Sequence, residues 1–355
     1  MHVFIVTPSF EPALRAELGP DCGAPPPESL AGQRESPPGL VLCDAFVDAP
    51  DRARDYTFAR QVLPDATPIQ APSVQRLAEA AYAAIEARVD AAPGPFTLHA
   101  FTWPESDPAL GSRVGLVGRQ LLDLLRTRRR RAFRNYRAPA DLEATFGPGV
   151  LVAQLLALDR ERFLVSAAHP RPLPRGGIDL APWPAGGAPI AVDRAPPSRA
   201  YQKLEEAFCW LGVAPAPGQT CVDLGGAPGG WAMTALKRGA RVTAVDRAPL
   251  EPPAAGHPHL TALIGNAFTF EPPQPVDWLL CDVVCEPART LALIGRWLDR
   301  RWCRHMVVTV KFKGQGGYGV LAEVEPLFAH AGWRFARTKQ LVHNKNEVTV
   351  LAREQ

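Results

Sequence analysis

The stretch Cys221-Val-Asp-Leu-Gly-Gly-Ala-Pro-Gly-Gly-Trp231 decides how the second half of this 355-residue chain folds. A short apolar run leads into closely spaced glycines, and a helix-favouring segment, 231–237, follows. This order is typical of a buried strand, a tight turn and the start of a helix. Glycines let the backbone take torsion angles that are closed to other residues, and they let a ligand approach with no Cβ in the way. The stretch therefore predicts a loop that binds a nucleotide-like cofactor.

A carboxylate follows this loop at a spacing that suits a ribose. Asp246 ends the apolar run 241–245, ~20 residues after the first glycine, where it can accept hydrogen bonds from ribose hydroxyls. We predict strands at 220–224, 241–245, 260–264, 276–281 and 306–310, helices at 230–238, 288–301 and 320–331, and a final hairpin of 334–341 and 347–351. This alternation predicts an α/β, Rossmann-like doubly wound sheet that binds ligands at the carboxyl ends of its strands.

Composition indicates an ordinary globular protein. Apolar residues make up 46% and charged residues 21%, and the net charge of +3 neither demands nor excludes a polyanionic partner. The seven cysteines lack disulfide-framework and zinc spacing, which predicts a reducing compartment and no metal. We find no basic leader and no run of 18 or more apolar residues, so we expect a cytoplasmic monomer without a membrane partner.

The first half predicts two small α+β modules. We expect strands at 3–6, 39–43, 96–101, 150–158 and 162–166, with helices at 12–18, 74–89 and 115–131. Ser73 is placed to cap the second of these helices, and the strand over 96–101 alternates as if one face were buried. Proline and glycine are dense over 170–197, which predicts an inter-domain linker. Ser198 then opens a helix over 199–211 that Gly212 ends.

The end of the helix over 115–131 is rich in arginine. The candidate phosphate contacts are Arg128, Arg129, Arg130, Arg131 and Arg134. Two interpretations stay open, a solvated helix end favoured by the helix dipole or a patch that contacts RNA phosphates. Phe133 and Tyr136 lie among these arginines and could stack on bases or pack inward.

A doubly wound sheet would bring four polar residues to one rim. They are Lys203, in the helix before the first strand, Asp282 and Lys311, each after an apolar strand, and Glu347, at the start of the last strand. Taken singly, Lys203 could be a solvent-exposed helix residue, Asp282 a helix cap and Glu347 a plain hairpin charge. Lys311 is harder to dismiss, because a lysine seldom lies so close to a core without a role.

Together, the four residue types suit activation of a poor nucleophile. A ribose hydroxyl attacks a methyl sulfonium faster if its proton leaves as the new bond forms. A lysine can take that proton only if its own pKa is lowered, which partial burial and a second nearby cation would achieve. We hypothesise that Lys311 is this base and that Lys203, Asp282 and Glu347 hold it and the hydroxyl in line.

These motifs resemble the FtsJ-like ribose 2′-O-methyltransferases and, more specifically, the RlmM type, which modifies a cytidine of bacterial 23S ribosomal RNA. The matching stretches include 223–231, Pro197-Ser-Arg199, Lys203-Leu-Glu-Glu-Ala-Phe208 and Glu347-Val-Thr-Val350. The resemblance implies S-adenosyl-L-methionine as cofactor, a Lys-Asp-Lys-Glu tetrad, and RNA (23S rRNA or its precursor) as partner. Together with the loop, it implies cofactor contacts by Ser198, Asp223, Gly225, Ala227, Pro228, Gly229, Gly230, Asp246, Asn266 and Asp282.

One residue and one short segment depart from the family pattern. Asn266 stands where the family has an acidic residue, although its carbonyl oxygen could still reach the adenine amine. Lys313-Gly-Gln-Gly-Gly-Tyr-Gly319 stands where the family has further basic and apolar residues, and its glycines suggest a mobile loop.

The resemblance also implies a domain order. The resemblance covers most of the region from Ser198 to the end, whereas in the first half it rests on Phe58-Ala-Arg-Gln61 and the order of elements. The implied domains are a ferredoxin-like domain over 1–70, a THUMP-like RNA-binding domain over 71–169, the linker over 170–197 and the methyltransferase domain over 198–355.

Three other functions stay open. The glycines of the loop loosely match a dinucleotide-binding fingerprint, so an oxidoreductase is one competitor, although Pro228 is unfavourable for the helix packing of that motif. A non-catalytic RNA-binding protein that kept the fold is the second, and the four polar residues argue against it. The third is a 2′-O-methyltransferase that acts at another RNA site.

Overall fold

The computed structural model describes residues 1–19, 22, 37–43, 54–103 and 106–354. The chain divides into two compact units, Met1–Gly187 and Ala188–Gln355. None of the helices described is long and apolar enough to cross a membrane.

The N-terminal unit mixes strands and helices. Its strands are β1 (His2–Val6), β2 (Leu40–Cys43), β3 (Ala59–Leu63), β4 (Thr67–Gln70), β5 (Phe96–Phe101), β6 (Leu151–Ala157) and β7 (Arg162–Ala168). Its helices are α1 (Glu11–Leu18), α2 (Val74–Ala91), α3 (Ala109–Arg128), α4 (Arg130–Phe133) and α5 (Pro139–Leu142). Within the described part of this unit the strands form two sheets, in the orders β2-β1-β3 and β4-β7-β6-β5.

Some local features of this unit agree with the sequence predictions and others do not. The Ser73 cap is confirmed, since its hydroxyl accepts a hydrogen bond from the Arg76 amide at 3.3 Å. The expectation that β5 has one exposed face is wrong, because five of its six residues are buried. Strands β3 and β4 were not predicted. The first carries the buried polar residues Arg60 and Gln61, and the second is short, exposed and interrupted by a proline, so neither shows a regular alternation.

Part of the predicted linker is fixed to the N-terminal unit. Leu180, Ala181 and Trp183 are buried. The side-chain amide of Gln61 donates to the carbonyl oxygens of Ala181 and Trp183, both at 3.2 Å, and its oxygen accepts from the Ala181 amide at 3.1 Å. The segment before Gly187 therefore belongs to the packed structure of this unit. Cys22 and Cys43, in the same unit, form a disulfide that the cysteine spacing did not indicate.

The C-terminal unit is built on one sheet. Its strands are β8 (Thr220–Leu224), β9 (Arg241–Asp246), β10 (Leu260–Ile264), β11 (Trp278–Cys281), β12 (His305–Lys311), β13 (Phe335–Lys339) and β14 (Glu347–Arg353). Its helices are α6 (Tyr201–Leu211), α7 (Gly230–Leu236), α8 (Pro287–Asp299) and α9 (Val324–His330). Across its described residues the sheet order is β10-β9-β8-β11-β12-β14-β13, parallel except for β14, which runs antiparallel to β12 and β13.

The order of this sheet positions the site. The predicted strand–helix alternation is confirmed, and the chain reverses its direction of travel across the sheet between β8 and β11. In open α/β sheets ligands bind in the crevice at such a reversal, outside the carboxyl ends of the strands. The loop after β8 and the residues after β11 both lie at that place.

Two helix starts differ from expectation. Helix α6 begins at Tyr201 with Ala200 as its N-cap and no side-chain cap, so the prediction that Ser198 opens it is wrong. Gly212 does end α6, in the left-handed conformation with φ of 69°. The helix expected over 320–331 starts as a 3₁₀ turn, Tyr318–Glu323, and becomes α-helical at Val324.

Candidate active site

Strand register brings the four predicted rim residues together. Lys311, the last residue of β12, pairs with Glu347, the first residue of β14. Asp282 directly follows β11, the other neighbour of β12. Lys203 reaches the same place from the first turn of α6. The carboxyl ends of two parallel strands and the start of an antiparallel one therefore meet at one edge of the sheet.

The side chains form a continuous ion-paired cluster. Lys203 Nζ lies 2.8 Å from Asp282 Oδ2 and 2.9 Å from Glu347 Oε1. Lys311 Nζ lies 2.8 Å from Asp282 Oδ1, donates to the Asp282 carbonyl oxygen at 2.8 Å, and lies 3.8 Å from Glu347 Oε2. Thr309, buried in β12, donates to Asp282 Oδ1 at 2.6 Å. Asp282 thus receives a lysine on each oxygen, and its alternative role as a helix cap is not realised, since Glu286 occupies the N-cap of α8.

Burial and charge act against each other in this cluster. The side chains of Lys203 and Glu347 are 12% and 7% exposed, so Lys203 is not the solvent-exposed helix residue of the alternative interpretation. Burial disfavours the charge of Asp282, but Lys203 and Lys311 outweigh burial and hold the pKa of Asp282 below its usual range. Burial likewise opposes the charge of Lys203, but Asp282 and Glu347 leave the pKa of Lys203 above its ordinary value.

A cavity of about 640 Å³ lies beside the cluster. Six of the predicted site residues line it, namely Gly225, Ala227, Asp246, Asn266, Asp282 and Lys311. Lys203 and Glu347 are not part of its lining, nor are the remaining predicted cofactor residues, Ser198, Asp223, Pro228, Gly229 and Gly230. Of the two lysines, then, Lys311 is the one whose side chain borders the cavity.

The glycine loop is shaped by close approaches. Gly225 has a φ of 80°, and a Cβ at this position would lie 2.8 Å from Val283 Cγ2. At Gly230, the first residue of α7, a Cβ would lie 2.3 Å from Ser198 Oγ. Between them the Ala227–Pro228 peptide bond is cis. Glycine is therefore required at 225 by both conformation and space, and at 230 by space.

Two buried polar groups near the loop lack hydrogen-bond partners. Ser198 Oγ is one, and the Asp223 carboxylate in β8 is the other. Burial, followed by the charge of Asp282, raises the pKa of Asp223 to about 8. The Ala232 amide favours the charged form of Asp223 but does not outweigh burial. Buried polar atoms without partners are expected where a ligand completes a site.

Asp246 and Asn266 also line the cavity. Asp246 accepts hydrogen bonds from the Ala227 amide at 3.1 Å and the Ala248 amide at 3.0 Å, one on each carboxylate oxygen. Each oxygen keeps a lone pair for a ribose hydroxyl. The Asn266 side-chain oxygen accepts from the Phe268 amide at 3.0 Å, so its orientation is fixed within its own turn. The hydrogen-bond acceptors of the cavity therefore suit an adenosine-like cofactor.

The predicted RNA-contacting arginines separate into two kinds. Arg128, Arg130, Arg131 and Arg134 are exposed. Arg129 is held by Glu86 and, at 3.0 Å, by Asp90, so it stabilises the helix pair α2–α3 and is poorly available to a phosphate. Phe133 and Tyr136 stack on each other with ring centroids 5.4 Å apart and pack against the core of this unit, which favours the inward-packing interpretation.

Sequence reasoning missed the residues that support Glu347. Glu206 is fully buried and accepts hydrogen bonds from the Val342 and His343 amides. Asn344 donates to the Glu347 carbonyl oxygen at 3.2 Å, and Asn346 donates to the carbonyl oxygens of Phe312 and Gly314. Glu206 lies three residues after Lys203, on the same helix face, and that spacing was the signal available in the sequence.

Metal binding has no structural basis among the described residues. In the part of the chain that the structure describes, no group of three or more His, Cys, Asp or Glu side chains is arranged to hold a metal ion.

Comparison with known proteins gives a family for the C-terminal unit. Residues 196–296 match the model of the FtsJ-like methyltransferases. Ribosomal RNA large subunit methyltransferase M from Laribacter hongkongensis is 39% identical over 208 residues, which cover 56% of this chain and 57% of that protein. The protein of the same name from Alkalilimnicola ehrlichii is 39% identical over 181 residues, covering 48% and 49%. The chain thus matches about half the length of these curated relatives.

Likeness to solved structures is lower. Magnesium protoporphyrin IX methyltransferase from Synechocystis PCC 6803, solved with bound SAM, covers 42% of this chain and 77% of its own at 17% identity and a TM-score of 0.34. That score is too low to bear on function. The family match covers the glycine loop described above. The C-terminal unit therefore resembles the FtsJ-like methyltransferases over residues 196–296, and the chain resembles the proteins of the RlmM type.

Proposed function

We propose that this chain transfers a methyl group from S-adenosyl-L-methionine to a ribose 2′-hydroxyl of ribosomal RNA, at a cytidine of 23S rRNA. One observation carries the proposal. The cluster of Lys203, Asp282, Lys311 and Glu347 borders a cavity formed by the glycine loop of an FtsJ-like methyltransferase domain. The relatives named ribosomal RNA large subunit methyltransferase M support 23S rRNA as the substrate.

The cavity residues suit the cofactor group by group. Asp246 offers carboxylate oxygens to the ribose, and Asn266 faces the cavity where an adenine amine would need an acceptor. Outside the cavity lining, Ser198 Oγ and the Asp223 carboxylate are buried polar groups near the glycine loop that have no hydrogen-bond partner among the described residues. When bound, S-adenosyl-L-methionine supplies an electrophilic methyl group, which removes the need for a metal or a covalent intermediate.

Lys311 is the better placed of the two lysines to act as the base. Lys311 lines the cavity, whereas Lys203 does not line it and is enclosed by Asp282 and Glu347. The raised pKa of Lys203 keeps it a permanent cation, which holds the two carboxylates in place. In its neutral form Lys311 Nζ accepts the 2′-hydroxyl proton, and Asp282 and Glu347 stabilise the ammonium that results. Holding the hydroxyl in line with the methyl donor supplies much of the remaining acceleration.

The N-terminal unit would deliver the RNA. We also propose a ferredoxin-like domain over 1–70 followed by a THUMP-like domain over 71–169. The presence of two sheets supports this order, although β4 (Thr67–Gln70) pairs with β7 in the second sheet. Exposed arginines at the end of α3 and in α4 would contact phosphates, which fix the register of an RNA without reading its sequence. Because the reacting atom is the 2′-hydroxyl, the site would select RNA over DNA. A ribosomal RNA substrate also places the activity in the cytoplasm.

The proposal is tested by mapping 2′-O-methylation in RNA from cells with and without the gene. We expect one cytidine of 23S rRNA to lose its methyl group when the gene is deleted, and purified protein with S-adenosyl-L-methionine to restore it on RNA from the deletion strain. If the methyl group is lost and restored at another RNA site, the protein is instead a 2′-O-methyltransferase that acts at that site. If deletion of the gene removes no methyl group and the purified protein retains a dinucleotide, the proposal is overturned in favour of an oxidoreductase.

A further inference from the structure

We propose that Glu206 is a positioning residue that holds Glu347, and through Glu347 the two lysine ammonium groups, in the arrangement needed for methyl transfer. The inference rests on the proposed function, because it concerns the same four residues. Glu206 itself does not contact the cavity. Its effect would pass through the loop 342–346, which connects β13 to β14.

Glu206 is fully buried and satisfied only by this loop. Oε1 accepts from the Val342 amide at 2.9 Å, and Oε2 accepts from the His343 amide at 3.0 Å and from His343 Nδ1 at 2.8 Å. Both carboxylate oxygens of Glu206 are therefore engaged by the loop. A buried carboxylate is costly unless it is hydrogen-bonded, so the loop and Glu206 stabilise each other.

The loop in turn fixes Glu347. Asn344, buried in the loop, donates to the Glu347 carbonyl oxygen at 3.2 Å and to Thr349 Oγ1 at 3.0 Å. The Lys345 amide lies 3.4 Å from Glu347 Oε1. That same oxygen lies 2.9 Å from Lys203 Nζ, and Lys203 precedes Glu206 by one turn of α6. Helix α6 therefore contacts the loop 342–346 through Glu206 and the side chain of Glu347 through Lys203.

The far end of the loop is tied to the segment after Lys311. Asn346 donates to the carbonyl oxygens of Phe312, at 2.9 Å, and Gly314, at 2.7 Å. The Phe312 amide donates back to the Asn346 carbonyl oxygen at 3.0 Å. A displacement of the loop at Glu206 would therefore move Glu347 and reach the residue next to the proposed base.

Glutamine cannot replace this carboxylate. A carboxamide keeps the size of Glu206, but it turns an N–H group toward at least one of the loop donors, where two donors oppose each other. Glu205 provides a matched control on the same helix. Its carboxylate is 27% exposed and pairs with Arg238 rather than with the loop or the tetrad.

The experiment compares Glu206→Gln with Glu205→Gln in the full chain. Three quantities are measured: the affinity for S-adenosylhomocysteine by calorimetry, kcat and KM for the RNA, and the titration of the lysine side-chain signals by NMR, assigned with Lys203→Arg. For Glu206→Gln we expect kcat to fall about tenfold or more, with KM and cofactor affinity within about twofold of wild type. The Lys203 signal should titrate at a lower pH, because Glu347 has moved away from it. Glu205→Gln should match wild type in all three.

The outcomes separate the two proposals. If Glu206→Gln matches Glu205→Gln in kcat and in the lysine titration, Glu206 does not position the tetrad. If cofactor affinity falls in step with kcat, its role is general stability and the inference is overturned. If wild-type protein transfers no methyl group, the proposed function fails, while the lysine titration still decides the inference. Should Glu206→Gln not fold, His343→Ala removes one of the same hydrogen bonds and should shift the Lys203 titration in the same direction; no shift would overturn the inference.

Discussion

The ammonium of Lys203 lies 2.9 Å from a carboxylate oxygen of Glu347, although 144 positions of sequence separate the two residues. Asp282 bridges this pair to Lys311: its Oδ2 lies 2.8 Å from the Lys203 ammonium and its Oδ1 lies 2.8 Å from the Lys311 ammonium. Two ammonium groups and two carboxylates thus balance each other in a largely buried place. Because an isolated buried charge is costly, removal of any one of the four should change the behaviour of the others.

Replacement of Lys311 by alanine should stop methyl transfer and spare cofactor binding. Loss of a positioned general base lowers the rate by ~10²–10⁴-fold, and Asp282 keeps its second partner, Lys203. Initial rates with radiolabelled S-adenosyl-L-methionine and calorimetric cofactor affinity check this. Lys237→Ala serves as the matched control, since Lys237 pairs with Asp193 outside the tetrad. A Lys311→Ala protein that binds cofactor and RNA and methylates at the wild-type rate would disprove the role.

Replacement of Lys203 by methionine should destabilise the protein, and the loss should depend on pH. Removal of one partner from a buried ion pair costs ~3–5 kcal/mol. The lowered pKa of Asp282 means that its stabilising contribution is present above its unfolded pKa and is lost as the pH falls through the folded pKa. The difference in free energy of unfolding between wild type and variant should therefore be large at pH 7 and shrink toward pH 3. Urea unfolding at both pH values measures it, and an equal difference at the two would contradict the assignment.

The sequence predicted the strands of the C-terminal sheet and which of their carboxyl ends lie together. Strands β8 and β12 are largely buried and rich in apolar residues, as strands covered on both faces are, so their positions followed from composition. Asp282 and Lys311 were predicted to meet because the carboxyl ends of parallel strands share an edge. That prediction needed no knowledge of side-chain packing.

The supporting residues could not be predicted in the same way. Glu206 is a glutamate in a helix, which is usually solvent-exposed, and its burial depends on the loop 342–346 folding over it. The insertion of β14 between β12 and β13 is a long-range pairing that no local pattern encodes. Ser198 has the residue type of a helix cap, but it lies against the glycine loop instead. In each case tertiary contacts override the local preference.

Substitution of alanine for Gly230 should weaken cofactor binding without unfolding the protein. The added Cβ would lie 2.3 Å from Ser198 Oγ, so either Ser198 or the loop must move. We expect the affinity for S-adenosylhomocysteine to fall about tenfold or more, since a buried polar group is displaced. Gly256→Ala is the control, because no atom lies within 4 Å of a Cβ there. A Gly230→Ala, Ser198→Gly double variant should recover part of the binding if the clash is the cause.

Alanine at Arg130 and Arg131 should weaken RNA binding because each substitution removes a charge that pairs with a phosphate. Both side chains are exposed, and each phosphate pairing that is removed should reduce the slope of log affinity against log salt by ~0.7 for single-stranded RNA. Arg129→Ala should mainly lower stability, because Arg129 pairs with Glu86 and Asp90. Arg15→Ala, which removes a surface arginine paired with Glu11, is the control. Binding titrations at several salt concentrations test this, and a parallel fall in cofactor affinity would show that the arginines are structural.

Asp223 gives the C-terminal unit a stability that depends on pH. Burial raises the pKa of Asp223 to about 8, so its carboxyl group is neutral in the folded protein over a range in which it is ionised in the unfolded chain. The unfolded state then binds fewer protons than the folded state, and stability falls as the pH rises from about 4 to about 8.

Asparagine at position 223 should remove this dependence. The carboxamide has nearly the same shape as the neutral acid and no charge to bury, so Asp223→Asn should gain stability relative to wild type as the pH rises from about 4 to about 8, with no further gain above that range. Urea unfolding of the cofactor-free proteins across this range measures the difference. Both proteins share His99, whose pKa burial lowers to about 4, so its contribution cancels in the comparison. A difference that stays constant with pH would mean that Asp223 is ionised in the folded protein, held by a partner that stabilises its charge.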